Sequence, residues 1–324
     1  MKHPLPNSFP ARAAERDAWI LSRRPERNDV DPLRPYAFVV EDERAASGEI
    51  VPVATIFLTN RECPWRCLMC DLWKNTLTES VPVGAIPKQI DYALQRLGVA
   101  RQIKLYNSGS FFDPKAIPVA DHAAIAERVA GFEQVIVECH PALVGETCIN
   151  FNDRIAGRLE VAMGLETAHP EILERLNKRM SLKQFEHAAR FLGNNNIDLR
   201  VFILVRPPFM EEEEALEWAA RSLEFAFDCG ATAATLIPTR GGNGAMEELA
   251  GAGLFSPPKL ATLEAALAHG IAMKKGRVFA DLWDVRKTAS CEICTELRIA
   301  RLHAMNLRQC AMPPVPCESC GGLS

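Results

Sequence analysis

Ala54-Thr55-Ile56-Phe57-Leu58-Thr59 runs straight into Asn60-Arg61-Glu62-Cys63-Pro64-Trp65-Arg66-Cys67-Leu68-Met69-Cys70-Asp71. The first six residues are apolar and β-branched, the composition of a strand buried on both faces of a parallel sheet. The loop behind them carries three cysteines at C-x3-C-x2-C spacing. Three is an odd number for disulfides and one short of a closed four-ligand zinc site. It is the number that holds a 4Fe-4S cluster with one iron left open. An open iron binds and activates a molecule, whereas a four-cysteine cluster mainly passes electrons. The pattern points to an enzyme.

Similar short apolar runs recur at 102–106, 134–138, 159–165, 199–205 and 232–237, with helix-like segments at 87–97, 116–130, 171–176 with 182–192, and 211–227. Ser181 is placed to cap the second half of the fourth connection. A helix near 258–269 leads to a further expected strand at 277–283. Six βα units imply parallel strands with helices outside, because parallel neighbours need crossover connections. The expected fold is α/β: a partial (β/α)6 TIM-like barrel with a short Cys-rich C-terminal metal-binding tail. Its active face lies at the carboxyl ends of the strands, where the cysteine loop lands. The chain divides into an N-terminal extension packing on the barrel (1–51), the barrel (52–245) and a C-terminal extension (246–324). Ser8-Phe9-Pro10 is expected to start a short helix through Trp19-Ile20-Leu21, with Pro10 in its first turn. Asp31-Pro32-Leu33-Arg34-Pro35 reads as a linker.

The 324 residues are 48% hydrophobic and 24% charged, an ordinary balance for a soluble globular chain. No run of ~18 apolar residues predicts a membrane span, and Met1-Lys2-His3-Pro4-Leu5-Pro6 lacks the apolar core of a signal peptide. The expectation is a cytoplasmic protein with no membrane partner. A net charge of -4 gives nucleic-acid binding no support, although a local basic patch stays open. Eleven cysteines without an export signal argue for a reducing compartment and metal ligation. Cys139, Cys148 and Cys229 are scattered and read as small buried hydrophobes. Cys291-x2-Cys294 and Cys317-x2-Cys320 approximate a four-thiolate zinc site that staples a short tail, with Cys310 spare. A second iron–sulfur cluster is the rival occupant.

A C-x3-C-x2-C loop after the first strand of a six-unit βα chain resembles the radical S-adenosyl-L-methionine (SAM) superfamily, over about residues 52–240. The resemblance implies a 4Fe-4S cluster on Cys63, Cys67 and Cys70 whose open iron chelates SAM. One electron, from a reducing partner such as flavodoxin or ferredoxin, then cleaves SAM to a 5′-deoxyadenosyl radical that abstracts hydrogen from substrate. The protein supplies position and exclusion of water.

Residue by residue, the resemblance puts Met69 beside the adenine, where relatives carry an aromatic residue; a thioether fills the same space. Trp65 either shields the cluster or anchors the loop. Asn107, Ser108, Gly109 and Ser110 match a turn that contacts the SAM amino group, glycine allowing close approach. Glu166, at the end of Met163-Gly164-Leu165-Glu166, resembles the carboxylate that holds the ribose hydroxyls; the plain alternative is a helix N-terminal charge. Arg179 resembles a carboxylate-reaching position, or is a surface charge. The backbone of Leu204 and Val205 matches an adenine-side strand end, although Arg206-Pro207-Pro208 replaces the usual glycine-rich turn.

Substrate contacts are expected from His140, Arg206 and Arg240. His140 is otherwise a satisfied buried histidine. Arg240 lies in Pro238-Thr239-Arg240-Gly241-Gly242-Asn243-Gly244, a cradle for phosphate or carboxylate or a plain glycine-rich connection.

The strand end Gly164-Leu165-Glu166 looks like the elongator and methylthiotransferase branch, without room for its appended domains or for a cobalamin module. The expected substrate is a small molecule or a nucleobase. A tRNA-modifying enzyme of archaeosine-synthase type is the alternative within the class, and a non-catalytic iron–sulfur or zinc-binding protein the alternative outside it.

Overall fold

The alternation of buried and half-buried residues along each strand is what two different environments on its two faces produce. The computed structural model describes residues 9–320 and joins the strands of those residues into one curled sheet, in chain order. They are β1 (Ala37–Arg44), β2 (Ile50–Phe57), β3 (Gln102–Tyr106), β4 (Gln134–Glu138), β5 (Arg158–Glu166), β6 (Asp198–Val205), β7 (Ala233–Pro238) and β8 (Arg277–Ala280). β1 pairs antiparallel with β2, and every later pair is parallel. The helices are α1 (Ala13–Leu21), α2 (Ala85–Leu94), α3 (His122–Val129), α4 (Glu146–Asn152), α5 (Pro170–Arg175), α6 (Leu182–Asn194), α7 (Glu212–Asp228), α8 (Ala245–Gly251), α9 (Leu260–Met273) and α10 (Thr295–Arg308).

The α/β class and the partial barrel agree with the sequence reading. The strands of all six expected βα units are present, and the further strand expected at 277–283 is β8, parallel to β7 and ending at Ala280. β1 was not anticipated: its second half, Glu41-Asp42-Glu43-Arg44, reads as a polar segment until its partners are seen. α1 begins three residues after Pro10, and Ser8 lies outside the described residues. Ser181 does cap α6, in a reciprocal capping box with Gln184. Among the described residues no helix is long and apolar enough to cross a membrane.

One face of the sheet is apolar. Ile56, Leu105, Val137, Leu165, Ile203, Leu236 and Val278 are fully buried under the helices. The other face looks into the curl, as contacts between strands far apart in the sheet demonstrate. At its floor Arg200 (β6) reaches Glu160 on β5 at 2.5 Å and Glu43 on β1 at 2.6 Å, while Arg277 (β8) reaches Glu160 at 3.1 Å. Lys104 pairs with Glu43 as well. Burial works against the Glu43 and Glu160 carboxylates, but the arginines outweigh it and hold both below the usual range. Above this charged layer Tyr106 meets Phe202 across the curl, with ring centroids 6.1 Å apart, and touches Phe57 at 6.2 Å. These rings are only half-buried, unlike the apolar face beneath the helices.

Candidate active site at the carboxyl end of the barrel

The cysteine loop leaves β2 and is held from several sides. Its base is stitched by Leu77 N donating to Asn60 O (2.8 Å) and Glu62 N donating to Leu77 O (2.9 Å). Glu62 gathers Arg24 at 2.6 Å and Arg66 at 3.1 Å, together with Arg27. Burial raises the Glu62 carboxyl, but the arginines prevail and it sits below its ordinary value. Leu68 N donates to Leu176 O (2.9 Å), Asn177 Nδ2 to Arg66 O (2.8 Å), and Asn243 Nδ2 to Leu68 O (2.7 Å). The N-terminal segment therefore serves the loop directly: Phe9, Trp19 and Ile20 pack with Leu68, Met246 and Leu249.

Burial pushes each of the three loop thiols up to about 12. Unliganded they are neutral, and a metal must displace their protons. Lys178 is a compensating charge that favours the thiolates of Cys67 and Cys63. Its ammonium is buried 2.7 Å from Glu166 Oε1. Burial disfavours the charged lysine, yet Glu166 and the thiols hold it above its normal range. Glu166 stands in the left-handed region (φ 67°) at the register shift that ends β5. Gly164 makes the pair fit: a Cβ there would lie 2.2 Å from Glu166 Oε1 and 2.7 Å from Lys178 Nζ.

The turn after β3 is shaped by Glu138, at the end of β4. Its Oε2 accepts from Asn107 N at 2.9 Å and Ser108 N at 3.1 Å, and Gly109 N also donates to the carboxylate. Burial raises Glu138 to about 7 despite these donors. The turn abuts the cysteine loop, since a Cβ on Gly109 would come 3.4 Å from Cys63 Cβ. Ser108 Oγ lies 3.0 Å from Tyr36 Oη, and Ser110 Oγ accepts from His140 N at 2.8 Å. Asn107 is fully buried with both side-chain polar atoms unpaired, an arrangement that costs stability unless a ligand completes it.

His140 is satisfied. Its Nδ1 accepts from Ala142 N (3.1 Å), so Nε2 carries the proton and donates to Lys178 O (3.0 Å). Burial depresses it to about 4. Trp65 stacks on the imidazole, centroids 3.7 Å apart and planes 12° apart, which ties the cysteine loop to β4.

The structure thus brings together Cys63, Cys67, Cys70, Asn107, Ser108, Gly109, Ser110, His140 and Glu166. Met69 and Leu204 share a small apolar cluster with Leu176 and Ile237 on the same face, while the Val205 side chain faces the main core. Three arginines are engaged elsewhere. Arg179 pairs with Asp17 (2.9 Å) and donates to Ala13 O (2.6 Å). Arg206 pairs with Glu212 (2.9 Å) and donates to Pro257 O (3.0 Å). Arg240 donates to Trp283 O (2.7 Å) and pairs with Asp281 (3.2 Å). The glycine-rich loop beside Arg240 spends its amides on Glu247, Gly244 N donating to Oε2 at 2.6 Å. Two site residues were not singled out in the sequence: Lys178, between Asn177 and Arg179, and Tyr36, directly after the 31–35 linker.

In the tail, Cys291 Sγ lies 3.9 Å from Cys317 Sγ and Cys294 Sγ 3.6 Å from Cys320 Sγ, all four within 4.8 Å of one another. A tetrahedron with metal–sulfur bonds of ~2.3 Å sets its sulfurs ~3.8 Å apart. The donor set therefore fits one ion; a four-iron cluster interposes several metal atoms and needs wider spacing. The three loop thiols form no such close group among the described residues. No disulfide occurs among the described residues.

No protein-family model matches the chain. It is 24% identical over 238 residues to an uncharacterized protein of Methanocaldococcus jannaschii, covering 69% of this chain and 65% of that one. It is 24% identical over 192 residues to archaeosine synthase subunit beta of Methanosarcina acetivorans, covering 56% of each. The chain thus spans between about half and two thirds of the length of these curated relatives. SuiB of Streptococcus suis, solved bound to precursor peptide SuiA, superposes with a TM-score of 0.50 at 11% identity, over 72% of this chain and 48% of that one. This is a likeness of fold. Further solved neighbours described as radical SAM enzymes align at TM-scores of 0.41 and 0.45.

Proposed function

We propose that this chain is a radical SAM enzyme, acting on a small-molecule or nucleobase substrate held above the Phe57–Tyr106–Phe202 layer. One observation carries the reading. A C-x3-C-x2-C loop at the carboxyl end of the first parallel strand stands beside a fully buried, unpaired Asn107 and a buried Glu166–Lys178 pair. Cys63, Cys67 and Cys70 would hold the 4Fe-4S cluster, and Asn107 and the Glu166 carboxylate would hold SAM. When bound, these groups supply a carbon radical that takes hydrogen from the substrate.

The chain's own residues prepare for that chemistry. Glu138 presets the 107–109 turn, so Asn107 is oriented before any ligand arrives. Lys178 offsets thiolate charge at Cys67 and Cys63 while orienting Glu166. Met69, Leu204 and Ile237 form an apolar wall suited to an adenine face. Tyr36 places its hydroxyl at the same mouth, on Ser108.

Buried thiols that must stay reduced suit a cytoplasmic setting, and a reduced flavodoxin or ferredoxin would supply the electron. The four tail thiols we read as a zinc site, on their spacing.

Anaerobically reconstituted protein, reduced with dithionite, is expected to convert SAM to 5′-deoxyadenosine. Protein with a full cluster that neither binds nor cleaves SAM would defeat the reading.

A second reading within the class is a tRNA nucleobase substrate, favoured by the similarity to archaeosine synthase subunit beta. Deuterium passing from labelled tRNA into 5′-deoxyadenosine would select it, and label passing only from small molecules would exclude it.

A further inference from the structure

The sheet does not close by strand pairing: β1 and β8 are its two edges. α10 packs against both. On the β8 side the helix and Gln309, the residue that ends it, supply what a neighbouring strand would. Gln309 Oε1 accepts from Val278 N at 2.8 Å, and its Nε2 donates to Val278 O at 2.8 Å. Asn306 Oδ1 accepts from Ala280 N at 2.8 Å, and its Nδ2 donates to Ala280 O at 2.9 Å. Two carboxamides thus satisfy alternate residues of the open edge, each reproducing the donor and acceptor of a ladder partner. Arg277 spans the same gap from β8 to β1, Nη1 donating to Arg44 O at 3.2 Å. Leu302 and Met305 of α10 are completely buried in the main core.

This seam depends on α10 being held in register, because two side-chain caps move together when the helix slides. The tail cysteines bracket that helix. Cys294 is its N-terminal capping residue with Cys291 just before it, while Cys317 and Cys320 return after the helix has ended. The returning chain has no helix or strand among residues 311–320. It runs back beside α10, where Arg301 Nη2 donates to Met312 O at 2.6 Å. A 14-residue helix is marginal alone. A closed four-thiolate ion adds folding energy of its own to such a segment.

We propose that the tail holds one zinc ion whose work is to lock α10 across the β1/β8 seam, so that the metal closes the side of the barrel. The proposal rests on the zinc reading of the tail and not on the radical reaction, so the two fail separately.

The test uses the full chain, purified anaerobically with its cluster. Elemental analysis is expected to find one zinc per chain beside the iron, and Cys294→Ser/Cys317→Ser to lose the zinc while keeping the iron. Hydrogen exchange followed by mass spectrometry is expected to speed at least tenfold at Val278 and Ala280 in that variant, with 102–106 in β3 unchanged. Asn306→Leu/Gln309→Leu removes the caps without touching the metal, and is expected to give the same acceleration with zinc retained. It also decides the matter if the cysteine variant loses protection in β3 as well. Unchanged exchange at Val278 and Ala280 in the zinc-free protein, or in the amide variant, overturns the seam role. Iron in place of zinc at the tail overturns the metal assignment.

Discussion

Lys178 Nζ stands 2.7 Å from Glu166 Oε1, in space that exists because residue 164 has no side chain. The pair joins the end of β5 to the loop after α5, and its ammonium faces the thiols of Cys67 and Cys63. The carboxylate proposed to hold SAM, its ion pair and a backbone close approach are thereby one unit.

Gly164→Ala tests that unit. The new Cβ would meet the far ends of two side chains rather than backbone, so the fold survives and the pair is displaced. SAM affinity is expected to fall about tenfold, roughly 1.4 kcal/mol, by anaerobic equilibrium dialysis. Wild-type affinity in the variant would separate Glu166 from SAM binding.

Lys178→Met leaves the Glu166 carboxylate buried without its partner. Stranding one member of a buried pair costs about 3–5 kcal/mol, readable as a lower urea midpoint. The cluster should also be lost faster on dilution, because the cation beside the thiolates has gone. Equal stability of variant and wild type would show that the pair contributes nothing net.

Two buried groups should tilt stability with pH in opposite directions. His140 is depressed to about 4, so between pH 4 and about 6.5 the unfolded state binds the extra proton. Its share of stability is therefore complete above pH 6.5 and is lost on acidification toward 4. Glu138 is raised to about 7, so the folded state holds the extra proton between about 4.5 and 7. Its share is complete at low pH and is lost as pH rises through 7. Relative to wild type, Glu138→Gln should gain stability more steeply from pH 5 to 7, and His140→Gln should gain less. Urea midpoints at the two pH values measure this, and parallel profiles for all three proteins would contradict it.

Arg200→Met addresses the floor. Arg200 is only 2% exposed and holds Glu160 and Glu43, which come from different strands. Its loss leaves two buried carboxylates short of charge, and the expected destabilisation is about 3–5 kcal/mol. Chemical denaturation checks the size. Cluster content per folded molecule should stay the same, since the floor lies at the opposite end of the strands from the cysteine loop.

The strands that the helices bury on one face were legible because their pattern is local. β3 and β4 have the bounds their apolar runs suggested, and β5 and β6 differ by a residue or so. β1 was hidden because Glu43 makes sense in a strand only once Arg200 and Lys104 face it. Likewise nothing in Asn177-Lys178-Arg179 as a sequence says which of the three turns inward. Left-handed backbone at Asn177 (φ 58°) and Arg179 (φ 59°) sends Lys178 inward and Arg179 toward Asp17. The glycine-rich loop after β7 read as an anion cradle or a plain connection; its amides answer Glu247 and its Asn243 holds the cysteine loop.

The sequence by itself carried the spacing of the thiols, the succession of parallel strands and the end of the barrel where the cysteine loop lands. Thiol spacing and strand period act between near neighbours in the chain. Tertiary structure decided which charged groups turn inward, which arginines are already occupied, and how an open sheet is closed by a helix. Those choices depend on desolvation shared between residues far apart, 12 positions for Lys178 with Glu166 and 157 for Arg200 with Glu43. A buried charge has no fixed cost until its partner is in place.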